Sequence, residues 1–343
     1  MNNKLRVALI GSGYFSRFHA HAWHRMDDVE LVALHSRDQL SAQQLQQDFQ
    51  IPQLHDNVQN LLQQSNADII DIATPPQSHA ELIRQCIEYK KAVICQKPFC
   101  DSVAEASNLV DEIEAKNALV VVHENFRFQP WYQHIKTILD KQQLGDLYEI
   151  SFNLRPGDGQ GPDAYLARQP YFQQQTRFLV QETAVHFIDV FRYLMGDIKG
   201  LFARLDRLNP VIAGEDAGLI LFEFSSGARG VLNANRLSDH NAQDCRLTMG
   251  VLCIEGSNAT LTLNGDAQIH IRAHGDTNLQ LQNYSWNNTD FGGDCVYHTN
   301  RHIADYFLTQ TPLHNTAKEY LINREIEERI YHSAKTGEWQ VIQ

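Results

Sequence analysis

Lys97 stands at the end of the apolar run Ala92-Val93-Ile94-Cys95-Gln96 and is followed at once by Pro98. Proline fixes its own backbone and restricts the residue before it, so a lone amine is held at the carboxyl end of a strand. In an open parallel sheet that end is the rim where ligands bind. Further along, Glu182 and His186 lie four residues apart, the spacing that puts two side chains on one helical face. An amine, an imidazole and a carboxylate are the types that donate, accept and steady protons. Each signal also has a plain reading: a Lys-Pro pair can merely end an edge strand, and a Glu-x-x-x-His pair can be surface pairing on an amphipathic helix.

A second chemistry-bearing segment opens the chain. Ile10-Gly11-Ser12-Gly13-Tyr14-Phe15-Ser16 follows an apolar strand and leads into a helical pattern. Gly11 permits the tight turn, Gly13 lets the backbone approach a pyrophosphate, and the helix start from Ser12 to Phe15 offers unpaired N–H groups to the anion. Ser16 stands where a third glycine would allow close helix-to-strand packing, so that packing is expected to relax. The next strand ends in His35-Ser36-Arg37, where an NAD site places a carboxylate for the ribose hydroxyl. A neutral Ser36 and a cationic Arg37 suit a 2′-phosphate and favour NADP over NAD. Arg37 stacked on adenine would fit either nucleotide, and Asp38 reads as a cap for the following turn.

These groups need a scaffold, and the first third supplies one. Five strands are predicted at 5–10, 29–35, 68–73, 92–95 and 118–123, nearly continuous in apolarity as buried parallel strands are. Helices are predicted between them at 14–26, 41–49, 58–64, 78–89 and 103–116, the last capped by Asp101 or Ser102 with Glu105 answering. After about residue 145 strands follow one another directly, at 148–155, 217–224, 230–235, 247–254, 260–263 and 269–273, with Asn264-Gly265 as a tight hairpin turn. An antiparallel sheet is expected there, with helices at 182–195, ended by Gly196, and from 298 through 332. The polar stretch 156–175 is either a working loop or an oligomer-contact arm.

Composition bounds the function. The chain has 343 residues, 43% hydrophobic, enough for two cored domains. Its net charge of -12 argues against nucleic acid or an anionic membrane as partner. No apolar run reaches the roughly 20 residues of a membrane helix, and Met1-Asn2-Asn3-Lys4 leads directly into strand-like sequence without a secretory core. Six cysteines without a Cys-x-x-Cys pair read as reduced thiols in a cytoplasmic protein.

The combined pattern resembles the glucose-fructose oxidoreductase, inositol dehydrogenase and MocA family over essentially the whole chain. The likeness rests on Gly11-Ser12-Gly13, Thr74-Pro75-Pro76 with His79, Gln96-Lys97-Pro98, Asn125-Phe126-Arg127-Phe128, Glu182 through His186 with Asp189, and the closing Ser333 to Gly337. It implies an α/β Rossmann domain with a parallel sheet, expected over 1–123. A second, α+β domain with a large open, mostly antiparallel sheet is expected over 124–343, its C-terminal helix packing back on the first. The implied activity is NAD(P)-dependent hydride transfer between the cofactor and a secondary hydroxyl or carbonyl of a sugar, sugar acid or cyclitol, in a homodimer or homotetramer. By resemblance His186 accepts the proton, Lys97 orients the hydroxyl and stabilises the developing oxyanion, and Glu182 holds substrate or histidine. Thr74, Pro75, Pro76, His79, Gln96, Lys97 and Asn125 would line the cofactor. Two departures stand out: the family usually has glutamate at 96 and aspartate at 182.

Arg127, Arg155, Arg168 and Arg177 fall in segments expected on the substrate side, where guanidinium groups would clamp a carboxylate. Pairing with Asp158 or Asp163, or at a subunit interface, looks identical in sequence, and a neutral pyranose or cyclitol is the leading substrate. No metal is expected, since His298 and His302 lack a third ligand. His19, His21 and His24 read as surface residues of the first helix. Trp131, Tyr165 and Tyr171 either stack on a sugar or pack a core. Two other functions fit the pattern: a redox-neutral, NAD-dependent glycosidase and a non-enzymatic nucleotide or sugar sensor.

Overall fold

The structure, a computed structural model, describes residues 4–342, so the expected domain limits at 1 and 343 lie outside the described residues. The chain divides into two compact units, one comprising residues 1–125 and 294–322 and the other residues 126–293 and 323–343.

The first unit alternates strands and helices: β1 (Leu5–Ile10), α1 (Tyr14–His24), β2 (Val29–His35), α2 (Gln39–Phe49), β3 (Gln53–His55), α3 (Val58–Gln64), β4 (Ile69–Ile72), α4 (His79–Glu88), β5 (Ala92–Gln96), α5 (Val103–Ala115) and β6 (Val120–His123). All six strands pair in parallel in the order β3-β2-β1-β4-β5-β6. That is the doubly wound dinucleotide-binding topology, with its switch point between β1 and β4. β3 was not expected, because three residues after Pro52 are too short for a periodic signal. Capping followed the sequence: Asp38 accepts from Ser41 N at 3.2 Å and Ser102 from Glu105 N at 3.2 Å.

The second unit contains α6 (Pro130–Asp140), β7 (Leu147–Leu154), a π-helical turn at Val180–Ala184 running into α7 (Val185–Met195), then β8 (Ile198–Asp206), β9 (Ala217–Phe224), β10 (Arg229–Asn235), β11 (Gly250–Gly256), β12 (Ala259–Leu263), β13 (Ile269–Ala273) and β14 (Gln280–Leu281). α8 (Cys295–Thr309) belongs to the first unit, and α9 (Ala317–Thr336) runs on to β15 (Gln340–Val341). The nine strands form one sheet, β14-β13-β12-β11-β7-β10-β9-β8-β15, antiparallel except for β7 with β10. One face alternates inward, and α7 covers it: Phe187 stacks on Phe152 at 4.1 Å and Phe191 meets Phe222 at 5.9 Å.

Several expectations are corrected. α6 and β8 were not foreseen; β8 carries Gly200, where a Cβ would lie 2.6 Å from Trp339 Nε1, and a strand glycine marking such a close approach hides the strand pattern. The 264–268 connection is a five-residue turn, with Asn264 Oδ1 accepting from Asp266 N and Gln268 N and Ala267 at φ 60°, in place of a two-residue Asn-Gly hairpin. The long C-terminal helix is two, broken at Gln310 (φ 60°) just before Pro312. Between them Asn315 O accepts from Val122 N at 2.8 Å and Thr316 bridges Val121, covering the outer edge of β6.

Candidate active site

The residues expected to face a nucleotide follow the carboxyl ends of β1, β2, β4, β5 and β6 in the first unit. Gly11 takes φ +119°, and a Cβ there would lie 2.4 Å from the Ala73 carbonyl oxygen, so β1 turns past the end of β4 only with glycine. Gly13 is the exposed N-cap of α1 with no side-chain cap bond, and a Cβ on it would meet nothing within 4 Å. Gly13 thus gives the first N–H groups of α1 no side-chain acceptor, and they start beside exposed Tyr14 and half-buried Phe15. Ser16 does not loosen the packing as expected. It is fully buried, and its hydroxyl donates to Ala73 O at 3.0 Å, tying α1 to β4 where a third glycine would only have made room.

At the end of β2, Ser12 donates to Ser36 Oγ at 2.8 Å, while Arg37 is exposed and has no hydrogen-bonded or ionic partner among the described residues. Past β4, Thr74 pairs with Ser78 (2.7 Å) around the short turn Pro76–Ser78. His79 is buried with Nε2 at 2.8 Å from Thr74 O and Nδ1 at 3.0 Å from Pro98 O, clamping the Thr74-Pro75-Pro76 loop to the Lys97-Pro98 loop. Burial lowers its pKa, so the ring is neutral and donates to one of the two carbonyls at a time. Asn125 is buried, and its Oδ1 has no hydrogen-bond partner among the described residues. An open, glycine-lined helix start and an orphaned amide oxygen in the same unit fit a pyridine dinucleotide.

Lys97 is half-buried at the end of β5, its N–H donating to Gln96 Oε1 at 2.8 Å. Behind it lies a buried polar group that sequence reading missed. Gln96 Nε2 is 3.0 Å from His19 Nε2, His19 Nδ1 is 2.8 Å from Asp71 Oδ2, and Trp23 Nε1 donates to the same oxygen at 2.7 Å. His19 is thus a core residue, not a surface one. The signal was present: Ser16, His19, Ala20 and Trp23 form the buried stripe of α1 at helical spacing, and Asp71 sits in an otherwise apolar strand.

In the second unit Glu182 and His186 are carried by the π-helical turn and the first residues of α7. π-turns are rare and concentrate at functional sites. This one is secured by Glu215, whose Oε1 accepts from Phe178 N and Val180 N at 3.1 Å each and from the Tyr331 hydroxyl at 2.6 Å, while its main-chain oxygen accepts from Leu179 N at 3.0 Å. Glu182 is half-buried; His186 is buried, its ring stacked on Phe126 at 4.0 Å and 8°. Replacing Glu215 with alanine strips three acceptor contacts from a nearly buried helix start. Charge-assisted bonds of this kind are worth about 1.5–3 kcal/mol. Thermal melts of Glu215→Ala should show a loss of that order, with Glu215→Gln falling between it and the parent.

The four arginines all have partners within the second unit. Arg127 makes a bidentate pair with buried Asp189 (Nε–Oδ2 2.7 Å, Nη2–Oδ1 2.6 Å), and Asn323 Nδ2 donates to Asp189 Oδ1 at 2.9 Å. Arg155 Nη1 donates to Leu154 O and Asn233 O, both at 2.7 Å. Arg168 approaches Asp158 at 3.5 Å, an aspartate already bound by buried Arg236 at 2.7 Å. Arg177 pairs with Glu328 and lies over the Tyr331 ring at 4.4 Å. Trp131 and Tyr165 are buried in packing and Tyr171 is exposed. Among the described residues no three His, Cys, Asp or Glu side chains group as metal ligands, and no helix is long and apolar enough to cross a membrane.

Comparison with known proteins decides the lineage. The model described as "Oxidoreductase family, NAD-binding Rossmann fold" matches residues 5–124, and the GFO/IDH/MocA C-terminal domain matches residues 132–261. The chain belongs to the GFO/IDH/MocA oxidoreductase family. This oxidoreductase is 33% identical over 268 residues to a D-apiose dehydrogenase of Paraburkholderia graminis, covering 78% of this chain and 70% of that one. To a D-apiose dehydrogenase of Rhizobium rhizogenes it is 28% identical over 342 residues, covering 97% and 96%. A crystal structure of an oxidoreductase from Agrobacterium radiobacter in complex with NAD+, L-tartaric acid and magnesium superposes with TM-score 0.88 at 26% identity, covering 99% of this chain and 98% of that one. This GFO/IDH/MocA chain is therefore a nicotinamide-dependent oxidoreductase whose first unit is an NAD-binding Rossmann fold.

Proposed function

We propose that this oxidoreductase oxidises a secondary alcohol of a neutral sugar or cyclitol, with Lys97 and His186 as its catalytic pair. Bound nicotinamide supplies the hydride acceptor. The turn Gly11 to Phe15, with Ser36, Arg37 and Asn125, would hold the dinucleotide. As the carbonyl forms, the hydroxyl proton must leave, and His186 takes it while the Lys97 ammonium steadies the charge growing on oxygen. Glu182 hydrogen-bonds a substrate hydroxyl or orients the imidazole. The observation that carries the reading is the presence of both proton-handling types in a member of this family, at the end of β5 and at the start of α7 where it leaves a π-turn. Its dehydrogenase relatives, two of them named for D-apiose, support a sugar. A neutral substrate is favoured because Arg127, Arg155, Arg168 and Arg177 are each engaged by protein carboxylates or carbonyls.

A panel of neutral sugars, uronates and cyclitols with either nucleotide tests this. A dehydrogenase accumulates reduced nucleotide absorbing in the near ultraviolet. Release of an aglycone with no net change in the nucleotide, or no turnover of any kind, would overturn it.

We read the nucleotide as NADP, because Arg37 is exposed and unpaired among the described residues while Ser36 puts no carboxylate at the ribose. A guanidinium-to-phosphate bond is worth about 1.5–3 kcal/mol. Arg37→Ala should lower kcat/KM with NADP by roughly 10- to 100-fold and leave NAD nearly unchanged. Equal losses with both nucleotides would contradict it. The same reading takes the protein as a cytoplasmic homodimer or homotetramer. Oligomerisation is supported by the outer sheet face, where Phe202, Leu221, Val231, Ser151, Cys253 and Thr262 form one half-exposed row across five strand pairings.

A further inference from the structure

Hydrogen-bond direction around Gln96 is fixed by its neighbours. The Lys97 N–H can only donate, so the atom it meets is the amide oxygen Oε1, and the other end of the carboxamide is the NH2 group. That group donates to His19 Nε2, which must offer its lone pair. The imidazole proton therefore sits on Nδ1, where it is donated to Asp71 Oδ2. Burial by itself would raise the Asp71 carboxyl, yet the hydrogen bonds it accepts from His19 and from the Trp23 indole N–H hold it below the ordinary aspartate range. His123, its ring 4.1 Å from that of His19, is pushed by burial down to about 3 and stays neutral. Every link thus has one direction, from Lys97 N–H through Gln96 and His19 to a carboxylate.

We propose that Asp71 and His19 are positioning residues for Lys97: Asp71 sets the His19 tautomer, His19 sets the Gln96 carboxamide, and Gln96 holds the main chain of the lysine. The relay ties β4, the buried stripe of α1 and the end of β5 together, so the helix that starts at the glycine turn also fixes the strand end bearing the amine. It explains why an amide suits position 96. A carboxylate there has no proton to give His19 Nε2, and with Asp71 already accepting from Nδ1 the imidazole would face an acceptor at both nitrogens. The inference rests on the catalytic reading of Lys97 for its kinetic consequence, but not for its structural content.

The test inverts the relay by moving its one carboxylate from position 71 to position 96. In Asp71→Asn, made in a Trp23→Phe background that removes the second donor to the same oxygen, the new amide can donate to His19 Nδ1, which moves the imidazole proton to Nε2. There it opposes the Gln96 NH2, so the carboxamide turns and the Lys97 N–H loses its acceptor. Adding Gln96→Glu restores an acceptor for the Nε2 proton and for the Lys97 N–H. Nitrogen NMR of imidazole-labelled protein should show His19 protonated on Nδ1 in the parent and on Nε2 in both variants. Amide exchange at Lys97 should speed up roughly tenfold in Asp71→Asn and slow again in the double variant, the scale of one hydrogen bond. With a substrate from the panel, kcat should follow the same course, and in Asp71→Asn the KM for the nucleotide should stay nearly constant. Protonation of parent His19 on Nε2, or additive losses in the double variant without recovery of Lys97 protection, would overturn the proposal; a merely structural pair gives additive losses. The nitrogen and exchange readings need no turnover, so failure of the relay and failure of the proposed activity are distinguishable.

Discussion

Lys97→Met should abolish most turnover while leaving the nucleotide bound. Methionine keeps the length and apolar stem of lysine but removes the ammonium, so the β5 end and the relay through Gln96 keep their geometry. What is lost is the donor that meets the oxygen as it becomes negative. Removing one preorganised donor of this kind costs roughly 100- to 1,000-fold in kcat. Nucleotide affinity, read by fluorescence titration, should stay within about threefold, since the glycine turn, Ser36 and Arg37 are untouched. A kcat less than tenfold below the parent would remove Lys97 from the mechanism, and a matching loss of nucleotide affinity would make it a binding residue instead. His186→Asn should lower kcat on the same scale, because it deletes the group assigned to accept the proton.

The largest effect on stability is expected at Asp189. Its carboxylate is fully buried on α7, three residues beyond His186, and takes two bonds from Arg127 and one from Asn323. Asn323 in turn accepts from Arg192 Nη1 at 2.7 Å, and burial lowers the Arg192 guanidinium. Asp189→Ala leaves Arg127 buried with its counter-charge gone and Arg192 beside it. Breaking one side of such a pair costs about 3–5 kcal/mol. Denaturant unfolding should show a loss in that range. Replacing both partners, Asp189→Leu with Arg127→Met, removes the stranded charge as well, so the double variant should recover much of the loss. A single variant within about 1 kcal/mol of the parent would show that the pair is dispensable.

The parts of this architecture legible in sequence were those with a strong local pattern. β1 and β2 are continuous apolar runs and lie where the pattern places them; α3, β9 and β13 likewise coincide residue for residue. The α/β class and the second, mostly antiparallel sheet follow from the change of grammar near residue 145. What stayed hidden depends on partners distant in the chain. β8 is interrupted by Gly200, whose reason is Trp339, and the parallel pairing of β7 with β10 joins strands some 75 residues apart with no local signature. His19 looks like one of three helix-surface histidines until Asp71 and Gln96 arrive from β4 and β5. The π-turn under Glu182 is likewise invisible, because Glu215, which secures it, lies more than thirty residues downstream.

The most direct test of the central claim follows the hydrogen itself. The enzyme would be given an oxidised nicotinamide nucleotide and a polyol deuterated at each carbinol carbon in turn, with the nucleotide recovered and weighed by mass spectrometry. One deuterium from a single carbinol position should appear in the nucleotide, in step with loss of that alcohol, and neither should occur with Lys97→Met. Substrate consumed with no deuterium retained in the nucleotide, or transfer undiminished in Lys97→Met, would contradict the account.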